Sequence, residues 1–200
     1  VELAFYDGAA PSDRFLDWVR RATGGKTFAQ AEIPIIVAAS DLATGELILL
    51  RDGEMAPALL GAATLPGLFR PVQWRQHFLV DGGLLYNIPT RMADLLGAQN
   101  TLVVDVSSRG GAEVMNRTPS SLAALYRAIE IMGDRLEAAT YSGGDFTLRF
   151  LPADIQLFEF WRWRDAQEAG LKEARAKSSS LRLAFAAKAI ARLGPAFFTE

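Results

Sequence analysis

A carboxylate followed by two glycines is the stretch of this sequence most suggestive of chemistry. The segment HFLVDGGLLYNIPT runs from His77 to Thr90, and its apolar residues lead directly into Asp81. Gly82 and Gly83 allow a sharp turn and the close approach of another backbone segment. An acid held at a strand end is able to accept a proton from a hydroxyl group, but Asp-Gly pairs are also common in turns. The residues alone leave both interpretations of Asp81 open, turn residue or catalytic base.

Two further residues indicate that the loop after the glycines has a defined conformation. The Asn87 side chain is suited to hydrogen bonding within its own loop, and Pro89 has a locked φ angle. A short amphipathic helix is predicted from Thr90 to Leu96, and Gly97 ends it. We therefore expect Asp81 to be followed by a rigid connection into a helix.

The elements that must position Asp81 alternate between strands and helices. Apolar runs predict strands at 34–38, 46–50, 78–80, 101–106 and 145–151, and helical spacing predicts helices at 13–22, 55–64, 90–96, 119–141, 160–176 and 181–193. The strand–helix–strand order over 78–106 predicts a βαβ unit with parallel pairing. Asp81 would then lie at the carboxyl end of a parallel strand, where open α/β sheets bind ligands. The sequence predicts one compact α/β domain.

Composition narrows the possible functions. The 200 residues are 50% hydrophobic and 22% charged, as in ordinary soluble globular proteins, and the net charge of −2 provides no attraction for nucleic acid. Cysteine is absent and there is one histidine, which excludes thiolate metal sites and disfavours zinc sites built from several imidazoles. No apolar run approaches the roughly 20 residues of a transmembrane helix. We expect no cofactor, no nucleic-acid partner and a cytoplasmic location.

Three segments resemble the patatin-like phospholipases, specifically their bacterial single-domain branch. They are IPIIVAASDLATGELILL (33–50), APALLGAATLPGLFRPV (56–72) and FLVDGGLLYNIPTRMADLLGAQNTLVVDV (78–106), and together they cover about half of the chain. In the third, Asp-Gly-Gly followed by Asn-x-Pro and a helix ending in Leu-Gly-Ala is similar to the second catalytic motif of the family. Residues 152–174 resemble the family's closing segment more weakly.

The resemblance implies a three-layer α/β/α sandwich with a mostly parallel sheet and a serine–aspartate dyad. Asp81 would take the proton of a serine hydroxyl directly, and the serine would attack a lipid ester and form an acyl-enzyme that water then hydrolyses. Gly82, Gly83, Asn87 and Pro89 would support the motif. The implied activity is that of a phospholipase, lysophospholipase or carboxylesterase. A lipid ester as substrate also implies peripheral contact with a membrane.

Two departures from the family pattern affect this interpretation. The G-x-S-x-G elbow that carries the family's nucleophile and the glycine-rich oxyanion loop do not occur in these 200 residues, and in the family both precede the segment that matches from Ile33. We therefore expect residues 1–200 to be the carboxy-terminal part of one patatin-like catalytic domain, inactive alone, with the serine on an upstream segment or a separate chain. Ala62 stands where family members often carry serine, which does not affect the proposed dyad.

Two alternatives remain. The chain could be a non-catalytic patatin-like domain that binds lipid or a protein partner. It could also be another α/β enzyme with Asp81 in a phosphate or metal site, which is disfavoured because no second acid or histidine lies close to it in sequence.

Ser40 and His77 lie near the motifs and are expected to have structural rather than catalytic roles. Ser40 lacks the flanking glycines of an elbow, and Asp41 with Thr44-Gly45 favours a turn. His77 begins the strand that ends at Asp81, about 13 Å away at about 3.3 Å per residue, and is expected to be a surface or edge residue.

The carboxy-terminal third contains two features with both a packing and a membrane interpretation. Four aromatic residues lie close together in the sequence: Phe158, Phe160, Trp161 and Trp163. This clustering favours packing of a terminal helix over an acyl pocket or bilayer contact. Lys177, Arg182, Lys188 and Arg192 share a helix with apolar residues, which favours a solvated face over binding to an anionic membrane.

Overall fold

The computed structural model describes residues 12–106, 118, 120–141, 143–149, 155 and 159–193. The chain divides into two compact units. The first is formed by residues 1–87 with 128–139, and the second by residues 88–127 with 140–200. Both contain helices and strands, so the predicted α/β class is confirmed. None of the helices in the described ranges is long and apolar enough to cross a membrane.

An antiparallel four-stranded sheet organises the described part of the first unit. Its strands are β1 (Val37–Asp41), β2 (Leu47–Leu50), β3 (Val72–Trp74) and β4 (His77–Asp81), in the order β2-β1-β4-β3. The strands predicted at 34–38 and 46–50 pair as the hairpin β1–β2, and β3, which no sequence pattern indicated, forms a second hairpin with β4. The same unit contains α1 (Ser12–Thr23), α2 (Met55–Ala62) and short 3-10 helices at Phe28–Gln30 and Gly82–Leu84.

The core of this unit lies between one face of the sheet and α2. Buried side chains from both layers and from the first 3-10 helix meet there: Phe28, Val37, Ala39, Leu50, Met55, Ala58 and Leu79. A Cβ added to Gly61 of α2 would lie 2.8 Å from the Leu79 Cβ, so the glycine is what lets α2 approach β4 so closely. Each large apolar side chain fully buried here contributes roughly 1.5–3 kcal/mol. This packing anchors the strand that ends at Asp81.

The first strand begins later than predicted. Ile35 and Ile36, which lie within the strand predicted at 34–38, precede β1 and are 42% and 41% exposed. The ladder starts at Val37 because its partner strand ends opposite it at Leu50. Pro34 also lacks the N–H group that a ladder requires.

The predicted βαβ unit over 78–106 is wrong. β4 runs antiparallel to both of its neighbours, β1 and β3, and does not share a sheet with the next strand along the chain. The two-residue connection at 75–76 requires an antiparallel partner, since parallel pairing needs a crossover of a dozen residues or more. Asp81 therefore ends an antiparallel strand.

Parallel pairing does occur in the second unit. There β5 (Leu102–Asp105) pairs with β6 (Phe146–Arg149), and the Arg149 Nε donates to the buried Asp105 carboxyl group at 2.8 Å. This unit also contains α3 (Thr90–Leu95) and α5 (Trp163–Leu193). Helix α4 (Ser121–Thr140) contributes residues 128–139 to the first unit and its other residues to the second.

Helix α5 is continuous over 31 residues where two helices were predicted. The junction, Lys177 to Ser180, contains neither proline nor glycine, and exposed serine lowers helix stability by only a fraction of a kcal/mol, roughly 0.5. Lys177 pairs with Glu173 and Lys188 with Asp145, so two of the four cations noted in the sequence are engaged by acids of the chain.

The packing interpretation of the aromatic residues is wrong for the two whose side chains are described. Trp161 is 73% exposed and Trp163 is 57% exposed. The side chain of Phe160 and all of Phe158 lie outside the described residues.

Candidate active site

The backbone of Asp81 is held by two other segments of the first unit. β1 places Ala39 opposite Asp81, and the Asp81 N–H donates to the Thr64 carbonyl oxygen at 2.9 Å. The two residues before Asp81, Leu79 and Val80, are 0% and 1% exposed. Asp81 is thus the last residue of a strand whose position is set by the core.

The Asp81 side chain caps the turn that follows it. Its Oδ1 accepts the Gly83 N–H at 2.8 Å, at the start of the 3-10 helix Gly82–Leu84. Within the described ranges this is the one hydrogen bond of the carboxyl group, which is partly exposed. One oxygen serves the turn while the other stays open to a further donor, so the two interpretations of Asp81 are compatible.

Burial dominates the electrostatics of Asp81. Partial burial raises the pKa of its carboxyl group above the usual value, and the Gly83 N–H opposes that shift by stabilising the charged form. A carboxylate in such surroundings is a stronger base than one in water. A general base benefits from this shift, because proton transfer is most efficient when the catalytic pKa lies near the working pH.

The two glycines have different steric roles. A Cβ on Gly82 would lie 2.4 Å from the carbonyl oxygen of Ala38 in β1, a backbone atom unable to rotate away. A Cβ on Gly83 would lie 3.1 Å from Asp81 Oδ1 and 3.4 Å from Asn87 Oδ1. Gly82 therefore permits close approach to β1, whereas Gly83 keeps open the space that two acceptor oxygens face.

Asn87 is held by a residue fifty positions further along the chain. Its Nδ2 donates to Glu137 Oε2 at 2.9 Å, and Glu137 is buried on α4. The structure thus brings Asp81, Gly82, Gly83 and Asn87 together. Pro89 belongs to the second unit, where it precedes α3 and its carbonyl oxygen accepts N–H groups of the first helical turn.

Comparison with known proteins relates the part of the chain that contains this site to a protein family. Residues 2–94, just under half of the 200, match the family described as patatin-like phospholipase, and the matched range includes every residue of the candidate site except Glu137. Residues 2–94 belong to the patatin-like phospholipase family.

Curated relatives show similarity over a shorter range. Uncharacterized NTE family proteins of Mycobacterium bovis and of two strains of Mycobacterium tuberculosis are 40% identical to this chain over 53 residues. The aligned residues are 26% of this chain and only 9% of each relative. The match therefore covers a small part of those proteins.

A second carboxylate of the patatin-like segment, Asp41, has the opposite electrostatics. It is 1% exposed and accepts hydrogen bonds from His77 Nδ1 at 2.9 Å, the Phe78 N–H at 3.0 Å, the Thr44 hydroxyl at 3.1 Å and the Ala43 N–H at 3.2 Å. The bond to His77, with the backbone donors, lowers the pKa of Asp41 to about 2. Asp41 therefore ties the β1–β2 turn to β4 and is poorly suited to accept a proton.

The contact between Asp41 and His77 was not predicted, although both residues were considered in the sequence analysis. Asp41 and Thr44 were assigned to a turn, and His77 was expected at an edge, but their contact joins residues 36 positions apart. His77 begins β4 and bonds to Asp41, whereas Asp81 ends the same strand and bonds to Gly83. The assignment of His77 outside the candidate dyad agrees with this placement.

Ser40 is not a partner for Asp81. It is 3% exposed, lies opposite Val80 in the ladder, and its hydroxyl oxygen has no hydrogen-bond partner in the described part of the chain. Because successive side chains of a strand point to opposite faces, Ser40 and Asp81 lie on different faces of the sheet. The described residues also contain no group of three or more His, Cys, Asp or Glu side chains arranged to hold a metal ion.

Proposed function

We propose that this chain carries the aspartate half of a serine–aspartate dyad in a lipid acyl hydrolase. Asp81 is the base, and a serine outside these 200 residues is the nucleophile. The observation that supports the proposal best is a half-buried carboxyl group with a raised pKa, directly after a core strand, in a segment of the patatin-like phospholipase family. The three-layer α/β/α sandwich belongs to the same proposal and is supported by the family match alone, because the four described strands of the first unit form antiparallel hairpins.

The contacts of Asp81 suit a proton acceptor. Oδ1 is occupied by the Gly83 N–H, which orients the carboxyl plane, and Oδ2 is the oxygen that would accept the hydroxyl proton. Asp81 would take the serine proton as the serine oxygen forms a bond to the ester carbonyl carbon. The proton then passes to the departing alcohol, and a water activated by the same carboxylate releases the fatty acid.

The test compares two aspartate variants in the longest natural chain that contains these residues. Asp81→Asn keeps the shape of the side chain but removes the base, so hydrolysis of short-chain nitrophenyl esters should fall by about 10³–10⁵-fold. Asp52→Asn is the matched control, because Asp52 is an exposed aspartate bonded to Arg75. It should change the rate by less than about twofold.

Measuring the stability of the Asp81→Asn protein distinguishes a loss of catalysis from a loss of the fold. The folded-state pKa of Asp81 is raised, so its ionisation opposes folding at neutral pH, and stability is lost as the pH rises through that pKa. Asp81→Asn should therefore unfold at an equal or higher urea concentration at pH 7. A stable Asp81→Asn protein with undiminished hydrolysis would exclude the base role. Absence of hydrolysis by the unsubstituted chain would instead favour a non-catalytic domain that binds lipid or a protein partner.

A further inference from the structure

Glu137 is a buried acid next to the candidate site that no sequence pattern singled out. It lies on α4 in the same compact unit as Asp81 and is 6% exposed. Its Oε2 accepts the Asn87 Nδ2 at 2.9 Å. The neighbouring charged residues of α4, Asp134 and Arg135, are exposed. Glu137 is thus a buried carboxyl group of this helix that reaches the loop after Asp81.

The bond to Glu137 determines which way the Asn87 amide faces. A side-chain amide has a donor end and an acceptor end, and a carboxylate oxygen accepts only from the donor end. With Nδ2 on Glu137, Oδ1 points to the Gly83 side, 3.4 Å from the position that a Gly83 Cβ would occupy. Asn87 Oδ1 therefore lies on the same side of Gly83 as Asp81 Oδ1, and the Gly83 N–H holds Asp81 Oδ1.

We propose that Glu137 is a positioning residue for Asp81, acting through the Asn87 amide and the Gly83 turn. The proposal rests on the proposed function, since it assigns Glu137 to the same site. Without Glu137 the amide is free to rotate or withdraw, and the Gly83 turn loses the side chain that lies beside it. The Asp81 carboxyl group then loses part of the bond that orients it toward a hydroxyl group.

The consequence is measurable at Asp81 itself. The Gly83 N–H lowers the pKa of Asp81 against the effect of burial, so a weakened bond should raise that pKa further. Other titratable groups on the adjacent strands should not affect the measured pKa of Asp81, because His77 lies at the far end of β4 and is bonded to Asp41. A purely structural role for Glu137 would lower stability without raising the pKa of Asp81, since removal of a neighbouring carboxylate by itself lowers that pKa.

The experiment titrates the Asp81 carboxyl carbon by ¹³C NMR in the longest natural chain, with the resonance assigned from its loss in Asp81→Asn. Glu137→Ala and Asn87→Ala should each raise the pKa of Asp81, and each should lower kcat by about tenfold with KM changed less than about twofold. Glu137→Gln retains an acceptor oxygen and should behave like the wild type. The double variant should match the single variants, because both act through one path.

Each outcome decides a separate question. An unchanged or lowered pKa of Asp81 in Glu137→Ala, or additive effects in the double variant, overturns the positioning role. If Glu137→Ala does not fold, Glu137→Met fills the volume without a carboxyl acceptor and carries the same test. An active Asp81→Asn variant overturns the dyad. If Asp81→Asn is inactive and Glu137→Ala shows the wild-type titration of Asp81, only the inference about Glu137 is overturned.

Discussion

Replacing Gly82 with alanine tests the geometry on which the candidate site depends. The new Cβ would lie 2.4 Å from the Ala38 carbonyl oxygen and 2.9 Å from its carbonyl carbon, about 1 Å closer to the oxygen than ordinary van der Waals contact. Ala38 belongs to β1 and is paired with Leu49, so its backbone cannot move without disturbing the ladder. The strain must therefore spread into the sheet.

The expected cost follows from the rigidity of that contact. Overpacking a well-packed interior typically costs 1–3 kcal/mol, and a clash with backbone lies at the upper end, so we expect a loss of about 3 kcal/mol. That is roughly a 150-fold change in the folding equilibrium, out of a total stability of about 5–15 kcal/mol. Urea unfolding followed by circular dichroism measures it as a lower midpoint at constant slope.

Two other glycines serve as matched controls. Gly83→Ala meets side-chain oxygens at 3.1 and 3.4 Å, so it should cost less than about 1 kcal/mol of stability but displace Asp81 Oδ1 and lower kcat by about tenfold or more. Gly133 lies within α4 with open space around it, so Gly133→Ala should stabilise the protein by about 0.5–1 kcal/mol. A Gly82→Ala protein with the wild-type urea midpoint would refute the close approach of this turn to β1.

Two further predictions concern Asp41 and α5. The folded pKa of Asp41 is about 2, against 3.8 for the free side chain, so its stabilisation is present above pH 3.8 and is lost as the pH falls towards 2. Asp41→Asn should flatten the decline of urea stability across that window; an unchanged decline would contradict the hydrogen-bond network. Ser179→Pro should cost about 3 kcal/mol or more, because proline removes a bond within a continuous helix. Wild-type thermal stability of that variant would instead support two separate helices.

Local features of the structure followed from local features of the sequence. The turn chemistry of SDLATG produced the β1–β2 hairpin, and the apolar run before Asp81 produced β4. Gly24, with a φ of +61°, ends α1 as its left-handed preference predicts. In each case the determining interaction joins residues a few positions apart.

Strand pairing did not follow from such patterns. A three-residue strand such as β3 has too few residues to show a period, yet its hairpin makes β4 antiparallel to a neighbour. The apolar spacing of β4 fits a parallel or an antiparallel sheet equally well, because the inward-facing positions are the same in both. The partner was decided by packing of the whole unit around Leu79.

The sequence alone determined that an acid would stand at a strand end with two glycines behind it, because strand, turn and glycine preferences act over neighbouring residues. Only the tertiary structure decided how the acids differ. Asp41 is buried against His77, 36 positions away, and becomes a weaker base, whereas Asp81 is partly buried with one backbone donor and becomes a stronger one. Burial and long-range contacts set these pKa values, and both arise when distant segments pack together.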